Sequence, residues 1–354
     1  MAAAWQETNH TFQAAWYEDC WLQCRFHLPK AEMSAFSASS NACSRPVRRV
    51  IRARDADEHA RNLSQWDQRY DQLSSGAFVG EVTELWLPNS QVFVERANQQ
   101  LRQTCAAWSR SVWFGIPDMA DGLMAMGSKS LSSRAVCIRD GGAEFDLLTA
   151  PDFNLFGVVV DRERFALYLD QTLHLDLDRL LQQGDVRDLA PGRKEHVCRK
   201  LANILDDASA SEGDGESALD LQARIFEALA GMLACNESQP AASNRTRHQY
   251  QQVVDKVRRR VLDKPEAPPS IAELCDAFHI SRRALQNCFE DMTGLPPLSY
   301  VRSLRLNEVR RRLRSDSTRP ISSIAYDWGF SHLSQFALDY RRLFGELPSE
   351  TARR

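Results

Sequence analysis

The sequence predicts an α+β protein: a β-rich, barrel- or jelly-roll-like N-terminal domain with flanking helices, followed by an all-α C-terminal domain. Short β-prone segments separated by turn sequences fill residues 77–160, whereas helical periodicity dominates after Val160. Near the C-terminus a helix-turn-helix pattern is written twice, with one long basic helix between the copies. The length of 354 residues and the apolar content of 43% suit two domains with separate cores.

Residues 1–49 show no sustained periodicity, and we expect a poorly ordered leader there. Cys20, Cys24, His27 and Cys43 allow a weak alternative, a zinc site, although their spacing fits no closed structural site well. The nine cysteines of the chain are odd in number and scattered. They argue against a disulfide framework and favour a reducing compartment.

Residues 50–235 are expected to form a ligand-sensing or dimerisation domain. Its first element is predicted to be an amphipathic helix from Asp55 to Leu73, since Leu63, Trp66 and Tyr70 recur at helical spacing. Turn sequences containing Pro, Gly and Asn then separate short β-prone segments. The predicted strands are Ala77–Leu87, Val92–Gln99, Ser111–Ile116, Ala135–Ile138, Glu144–Leu148 and Leu155–Val160.

A barrel or jelly roll of this kind has an interior that can hold a small ligand. Aromatic residues on the strands can line it, although simple core packing is their commoner role. These residues are Trp86, Phe93, Trp108, Trp113, Phe114, Phe145 and Phe156. No histidine occurs between Ala77 and Val160, which argues against a metal-dependent enzyme in this domain. Neither Cys105 nor Cys137 has a sequence neighbour that would mark a nucleophile, and we expect a protein that is not an enzyme.

Four helices are predicted after the strands: Arg162–Leu173, Leu175–Gln183, Arg193–Asp206 and Leu219–Cys235. The last one carries an apolar stripe made of Leu219, Ile225, Leu229, Met232 and Leu233. This stripe can pair with a second subunit or pack on its own barrel, and its pattern slightly favours self-association as a homodimer. Polar residues 236–247 predict a linker to a C-terminal domain at 248–354.

The first helix-turn-helix copy runs from Ser270 to Phe289. Ser270 can cap its first helix, the chain turns at His279 and Ile280, and Ser281 can cap the second helix. On the second helix, apolar residues recur on one face at helical spacing. The opposite face carries Arg282, Arg283, Gln286, Asn287 and Glu290.

The second copy runs from Ile321 to Phe344. Gly329 suits its turn, because glycine adopts a positive φ without a Cβ penalty, and Ser331 is placed to cap the next helix. The outward face carries His332, Leu333, Ser334, Ala337 and Arg341. Arginine can pair with guanine, and glutamine or asparagine with adenine, through two hydrogen bonds. One such helix is often only a solvated surface, but two aligned copies favour a reader of double-stranded DNA.

The long helix between the copies is predicted at Leu298–Arg314. From Arg245 to the C-terminus there are 20 Lys+Arg and 13 Asp+Glu, a net charge of 20 − 13 = +7, so the remainder carries −10 to reach −3. Basic side chains that neutralise phosphates supply most non-specific DNA affinity. The phosphate candidates, about half of which we expect to touch DNA, are Arg302, Arg305, Arg310, Arg311, Arg312, Arg314, Arg341 and Arg342.

This C-terminal segment resembles the DNA-binding domain of AraC/XylS-type transcription regulators. The resemblance rests on Leu274, Ser281, Leu285, Phe289, Gly294, Pro297, Tyr300, Arg305, Leu313, Ile324, Ala325, Gly329, Phe330, Phe336, Phe344, Gly345 and Pro348. It implies two units that enter successive major-groove turns, with base contacts at Arg283, Gln286, Asn287, Leu333, Ser334 and Leu338. Val309, Leu338 and Tyr340 depart from the usual residues of that family.

A narrower resemblance involves the N-terminal domain. Trp113–Pro117, Gly141–Val160 and His332–Tyr340 are similar to the AraC-type regulator of ethanolamine-utilisation operons. The resemblance implies a response to ethanolamine together with adenosylcobalamin, and activation of a catabolic operon through RNA polymerase. The corrinoid motif Asp-x-His-x-x-Gly does not occur, so no resident cofactor is assigned. An ammonium ligand would want a carboxylate beside an aromatic face, and the candidates are Glu81, Glu84, Glu144 and Asp146.

We therefore expect a ligand-responsive, sequence-specific DNA-binding transcription activator. The sequence has neither a run of about 18 apolar residues nor a basic, then apolar N-terminus, so we expect a cytoplasmic protein without membrane association. Two alternatives stay open at this point. One is an enzyme or methyl-accepting repair protein fused to the same DNA-binding domain; the other is a DNA-binding dimer that needs no ligand.

Overall fold

Two antiparallel β-sheets face each other in the N-terminal domain, and helices cover the outer face of the larger sheet. The computed structural model describes residues 46–118, 122–210, 217–233, 239–240, 245–316 and 318–353. The leader predicted at residues 1–49 falls outside this range up to residue 45. The alternative zinc site at Cys20, Cys24, His27 and Cys43 also lies outside the described residues.

The larger sheet has the strand order β1-β3-β4-β11-β6-β9-β12-β13. Its strands are β1 (Val47–Ala53), β3 (Gly80–Leu87), β4 (Ser90–Ala97), β6 (Ser111–Pro117), β9 (Ala135–Asp140), β11 (Phe153–Asp161), β12 (Val186–Asp188) and β13 (Gln239–Pro240). The smaller sheet has the order β2-β5-β10-β7-β8. Its strands are β2 (Asp67–Gln72), β5 (Leu101–Ala106), β7 (Ala125–Met126), β8 (Lys129–Ser130) and β10 (Phe145–Leu148). All six predicted strands are confirmed, and the fold class predicted for this domain is confirmed with them.

The helix predicted from Asp55 to Leu73 is wrong beyond its first turns. Helix α1 spans only Ala56–Ala60, capped by the Asp55 side chain, which accepts a hydrogen bond from the Glu58 N–H. The backbone then takes a left-handed conformation at Gln65, with φ of 62°, which a continuing helix cannot accommodate. Residues 67–72 instead pair with β5 in antiparallel register. Tertiary pairing outweighs the local helical period here.

The larger sheet has a different core on each face. On β4, Val92 and Val94 point towards the covering helices, while Phe93 points into the space between the sheets. A Cβ added to Gly157, the cross-strand partner of Phe93, would lie 2.0 Å from the ring. This glycine therefore gives the Phe93 ring the room to lie flat across the neighbouring strand.

The aromatic residues expected to line one interior are divided between the two cores. Phe93, Trp113 and Phe145 lie between the sheets, whereas Phe114 and Phe156 lie under the helices. Trp86 and Trp108 are half-buried and contact each other in a tilted arrangement, with their ring centres 5.1 Å apart. The space between the sheets is therefore lined by fewer aromatic residues than the seven that the sequence suggested.

Helices that follow β11 cover the larger sheet. They are α2 (Arg162–Leu173), α3 (Leu177–Leu181), α4 (Arg193–Ala210) and α5 (Ala218–Leu233). On α5, Ile225, Leu229, Met232 and Leu233 are buried in the core beneath the helices, and only Leu219 is exposed. Four of the five stripe residues pack on their own sheet, which favours the second of the two roles predicted for the stripe, and the homodimer stays a prediction.

The C-terminal domain is helical throughout its described residues. Its helices are α6 (Arg245–Asp263), α7 (Ile271–Phe278), α8 (Arg282–Thr293), α9 (Pro297–Ser315), α10 (Ile321–Asp327), α11 (Leu333–Phe344) and α12 (Pro348–Thr351). Within the predicted linker 236–247, Gln239–Pro240 pairs with β12 and α6 begins at Arg245. Among the residues described, none of the helices combines the length and apolar character that a bilayer crossing requires.

Candidate nucleic-acid interface

The first helix-turn-helix unit consists of α7 and α8. Ser270 and Glu273 form a capping box at the start of α7: the Ser270 Oγ accepts from the Glu273 N–H at 3.3 Å, and Glu273 Oε2 accepts from the Ser270 N–H at 2.7 Å. The turn depends on His279, which takes a left-handed φ of 54°. Ser281 Oγ then accepts from the Ala284 N–H at 3.2 Å and caps α8. The local signals in the sequence predicted this unit correctly.

The second unit consists of α10 and α11. Gly329 adopts a φ of 69° in the turn, and a Cβ there would lie 2.7 Å from the Glu266 carbonyl oxygen, so both conformation and space require glycine. The cap predicted at Ser331 is wrong. The N-cap residue is His332, whose side chain makes no capping hydrogen bond. The start of α11 is thus less firmly held by its own side chains than the start of α8.

The N-terminal half of α8 presents a polar surface to solvent. Arg282, Arg283 and Asn287 are exposed and Gln286 is partly exposed, while Leu285, Cys288 and Phe289 are buried in the core of the unit. The structure therefore brings the four predicted base-reading side chains together on one accessible helix face. Their guanidinium and amide groups can donate and accept hydrogen bonds at base edges.

The corresponding face of α11 is mixed in character. His332, Ser334 and Arg341 are exposed, Leu333 is partly exposed, and the Leu338 side chain is 64% exposed. Apolar side chains in such a position suit contact with thymine methyl groups.

Gln335 belongs to the same exposed face and was missed by the sequence reasoning. Its Nε2 donates to Asp339 Oδ1 at 2.9 Å, and Asp339 Oδ2 lies 3.5 Å from Arg302 Nη1. The buried Asp339 therefore orients an exposed amide that can pair with adenine. Gln335 lies three residues from both His332 and Leu338, and this helical spacing was the signal in the sequence that could have identified it.

The basic helix α9 divides its arginines between solvent and the interior. Arg302 is exposed, as are Arg312 and Arg341, in keeping with the expected phosphate contacts. Arg305, which was expected at a phosphate, is only 8% exposed and lies inside the second unit. Its Nε donates to the Trp328 carbonyl oxygen at 2.6 Å, and its guanidinium carbon lies 4.1 Å from the centre of the Phe330 ring. We correct its role: Arg305 holds the turn of the second unit.

Two further phosphate candidates on α9 are paired with acidic residues of the N-terminal domain. Arg310 forms an ion pair with Asp55, and Arg311 lies 2.7 Å from both Asp57 and Asp71. Arg310 is 6% exposed. Arg314, although exposed, is 2.9 Å from Asp55. These arginines hold the two domains together in this structure, which explains why a count of basic residues overestimates the DNA-contacting set.

The space between the sheets contains a buried polar cluster. Glu95 Oε1 lies 3.1 Å from His59 Nε2 and accepts from Gln103 Nε2 at 3.4 Å. Glu95, His59 and Gln103 are each at most 2% exposed. Burial is the largest cause that raises the pKa of the neighbouring Tyr70, and the charge of Glu95 adds to it. His59 reaches this space from α1, outside the strands that were searched for histidines.

Most of the carboxylates predicted as ammonium ligands already form ion pairs in the structure. Glu84 pairs with Arg49 and accepts from Trp86 Nε1, while Asp146 pairs with Arg102. Glu81 pairs with Arg52 on the surface and Glu144 is exposed.

In the part of the chain that the structure describes, no three His, Cys, Asp or Glu side chains are grouped to hold a metal ion. Burial raises the pKa of the Cys137 thiol to about 12, which does not suit a nucleophile at neutral pH.

Comparison with known proteins finds a family match within the C-terminal domain. Residues 274–354 match the family model described as a helix-turn-helix domain. The XylDLEGF operon transcriptional activator of Pseudomonas putida is 34% identical over 135 residues, which cover 37% of this chain and 42% of that protein. The transcriptional activator RhaS of Pectobacterium carotovorum is 37% identical over 75 residues, 21% of this chain and 26% of that protein.

A solved structure, a probable AraC family transcriptional regulator from Rhodopseudomonas palustris, is 32% identical and covers 29% of this chain and 96% of that one, with a TM-score of 0.27. The chain spans less than half the length of the curated relatives named above. The matched residues coincide with the two units, whose exposed helix faces and bridging helix have just been described. Residues 274–354 are therefore a helix-turn-helix domain, and the chain is similar in sequence to operon activators of this kind.

Proposed function

We propose that this protein is a sequence-specific transcription regulator that binds double-stranded DNA through both helix-turn-helix units. One observation carries the proposal: α8 and α11 both leave the N-terminal parts of their polar faces exposed, while α9 joins them in one domain. Such helices fit the major groove, and Arg302 and Arg341 supply charge for phosphates. By similarity to the activators named above, we infer activation of an operon in the cytoplasm through contact with RNA polymerase.

Replacing Arg283 by alanine is expected to reduce discrimination at one base pair by about 1–3 kcal/mol, because an exposed guanidinium at this position can pair with guanine through two hydrogen bonds. The target site is first obtained with the wild-type protein by selection from random-sequence DNA. Affinities for that site and its single-base variants are then measured for both proteins at one salt concentration.

The matched control is Arg259→Ala, an exposed arginine on α6 outside both units. It should leave discrimination unchanged. Equal losses of Arg283→Ala on selected and random DNA would show a phosphate contact instead of a base contact. Failure of the wild-type protein to select any sequence would contradict the proposed function itself.

We further propose that a small cationic ligand regulates this activity, with ethanolamine, alone or together with adenosylcobalamin, as the first candidate from the resemblance. The buried carboxylate of Glu95 supports this proposal. Its polar neighbours are His59 and Gln103, and among the described residues no arginine or lysine contacts it. Phe93, two residues earlier on β4, lies on the same face of the sheet, with Trp66 at a ring distance of 5.8 Å. A carboxylate beside aromatic rings suits an ammonium group.

A ligand that binds only the folded protein is expected to stabilise it by about 2.7 kcal/mol at a hundred times its dissociation constant. The measurement is thermal unfolding of the full chain with ethanolamine, adenosylcobalamin, both, and other amines and amino alcohols. Glu95→Gln should abolish the stabilisation, whereas the surface variant Glu81→Gln should keep it. A response only to another amine would discard ethanolamine. No response to any ligand would favour a DNA-binding dimer that needs no ligand.

A further inference from the structure

The second helix of each helix-turn-helix unit, α8 or α11, accepts a hydrogen bond at its C-terminal end from a glutamine of the N-terminal domain. Gln100 Nε2 donates to the carbonyl oxygen of Thr293, the last residue of α8, at 3.3 Å. Gln72 Nε2 donates to the carbonyl oxygen of Leu343, close to the end of α11, at 2.7 Å. These carbonyls lack partners within their own helices, so the glutamines supply hydrogen bonds that the helix ends require.

The contact with the second unit is close and involves backbone as well as side chains. The Gly76 N–H also donates to the Leu343 carbonyl oxygen, at 3.0 Å. Gly345 follows α11 with a φ of 73°, and a Cβ there would lie 2.8 Å from the Ala77 nitrogen. The chain at residues 76–77 therefore packs directly against the end of α11.

The segment that contains Gln72 also contacts α9, the helix between the two units. Asn307 donates to the Gln72 carbonyl oxygen at 2.9 Å and accepts from the Gln72 N–H at 3.0 Å, as a neighbouring strand would. Asp71 lies 2.7 Å from Arg311 on α9 and 2.5 Å from Arg258 on α6. Arg102 contacts both α9 and α6: it donates to the Tyr300 hydroxyl on α9 at 2.8 Å and pairs with Asp255 on α6, also at 2.8 Å.

These contacts lie away from the exposed residues at the start of each recognition helix. Arg282, Arg283, His332 and Ser334 remain accessible while the opposite ends of α8 and α11 are attached to the N-terminal domain. Attachment at two points constrains the orientation of one unit relative to the other. The N-terminal domain leaves the predicted base-contacting residues exposed. It holds α8 and α11 at their opposite ends and so constrains their relative orientation.

We propose that Gln72 and Gln100 are positioning residues that set which separation of two DNA half-sites the protein accepts. This inference rests on the proposed DNA-binding function and adds a specificity that no base contact supplies. Two units locked in one orientation bind well only when their half-sites face the same side of the duplex. Each base pair inserted between the half-sites turns one of them by about a tenth of a helical turn.

The segment that carries Gln72 also touches the space between the sheets. Tyr70 and His59 point into that space near Glu95, whereas Asp71 and Asp57 point to the arginines of α9. Residues 55–77 therefore connect the proposed ligand site with α9 and with the attachment of the second unit at the end of α11. A change in that interior would reach the preferred half-site separation through this segment.

The test uses the full chain and a site selected by the wild-type protein. DNA duplexes carry its two half-sites at the selected separation or with one to five additional base pairs, a series of about half a helical turn. Affinities are measured for wild type, Gln72→Ala, Gln100→Ala and the double variant. Gln222→Ala is the matched control, because this glutamine on α5 accepts from Asn89 within the N-terminal domain.

The measured quantity is the ratio of affinities for the selected and the altered separations. It cancels differences in the amount of folded protein. We expect the ratio to fall about twenty-five-fold in the double variant, since each of the two lost hydrogen bonds changes an equilibrium by roughly a factor of five. Gln222→Ala should keep the wild-type ratio. Affinity for a single half-site should be the same in all five proteins.

Two results would overturn the inference. An unchanged ratio in the double variant would show that α9 alone orients the two units. A wild-type protein that binds its selected site but tolerates every separation of the half-sites would show that the two units are not held in one relative orientation. Absence of any selected site is a different result, because it would contradict DNA recognition and not the role of the two glutamines. Should the double variant fail to fold, the two single variants provide the same ratio.

Discussion

Replacing Asp71 by asparagine should destabilise the protein by about 3–5 kcal/mol at neutral pH. The carboxylate lies between Arg258 and Arg311 and is 2% exposed. Removing one partner of a buried ion pair leaves the opposite charges without compensation, which costs more than the pair itself contributes. The measurement is urea-induced unfolding of wild type and variant. Glu81→Gln, which breaks a surface pair with Arg52, should cost no more than about 1 kcal/mol.

The destabilisation should depend on pH in a defined direction. Burial by itself raises the pKa of Asp71, but the charges of Arg311 and Arg258 outweigh burial and hold the pKa below its ordinary value. In the unfolded chain this carboxyl titrates near pH 4. Its stabilising contribution is therefore fully present above about pH 4 and is lost as the pH falls further. The difference between wild type and variant should be constant near neutral pH and shrink in acid; a constant difference down to pH 2 would contradict this account.

Replacing Arg305 by alanine should cost about 2–3 kcal/mol of folding stability and leave the salt dependence of DNA binding unchanged. The guanidinium donates to the Trp328 carbonyl oxygen and lies over the Phe330 ring, so its loss leaves a buried acceptor without its donor. Burial, with a smaller effect of Arg302, lowers the pKa of Arg305 to about 10, so the group stays charged at neutral pH. Unfolding in urea and the slope of log affinity against log salt are measured together.

Arg341→Ala is the matched comparison, because this arginine is exposed in the last turn of α11. It should change the stability by no more than about 0.5 kcal/mol and reduce the magnitude of the salt slope by about 1. A reduced slope for Arg305→Ala with unchanged stability would restore the phosphate contact that the basic composition of α9 suggested.

The helix-turn-helix units could be predicted because their signals are local. A capping serine, an apolar face and a turn residue lie within about twenty positions, and the structure confirms them at Ser270, Ser281 and Gly329. Where the local signal was ambiguous, the prediction failed. Leu63, Trp66 and Tyr70 recur at helical spacing, but residues 67–72 pair with β5, about 30 to 40 residues away in sequence. Periodicity does not report such a partner.

The roles of charged residues depended on the neighbours that folding brings to them. Sequence patterns were sufficient to predict a basic C-terminal domain, two helix-turn-helix units and an N-terminal domain of β-strands followed by helices. Sequence patterns did not predict that Arg305 lies inside the second unit or that Arg310 and Arg311 pair with Asp55, Asp57 and Asp71 in the folded chain. The physical reason is that composition and period describe one element at a time, whereas burial and ion pairing belong to two elements that meet.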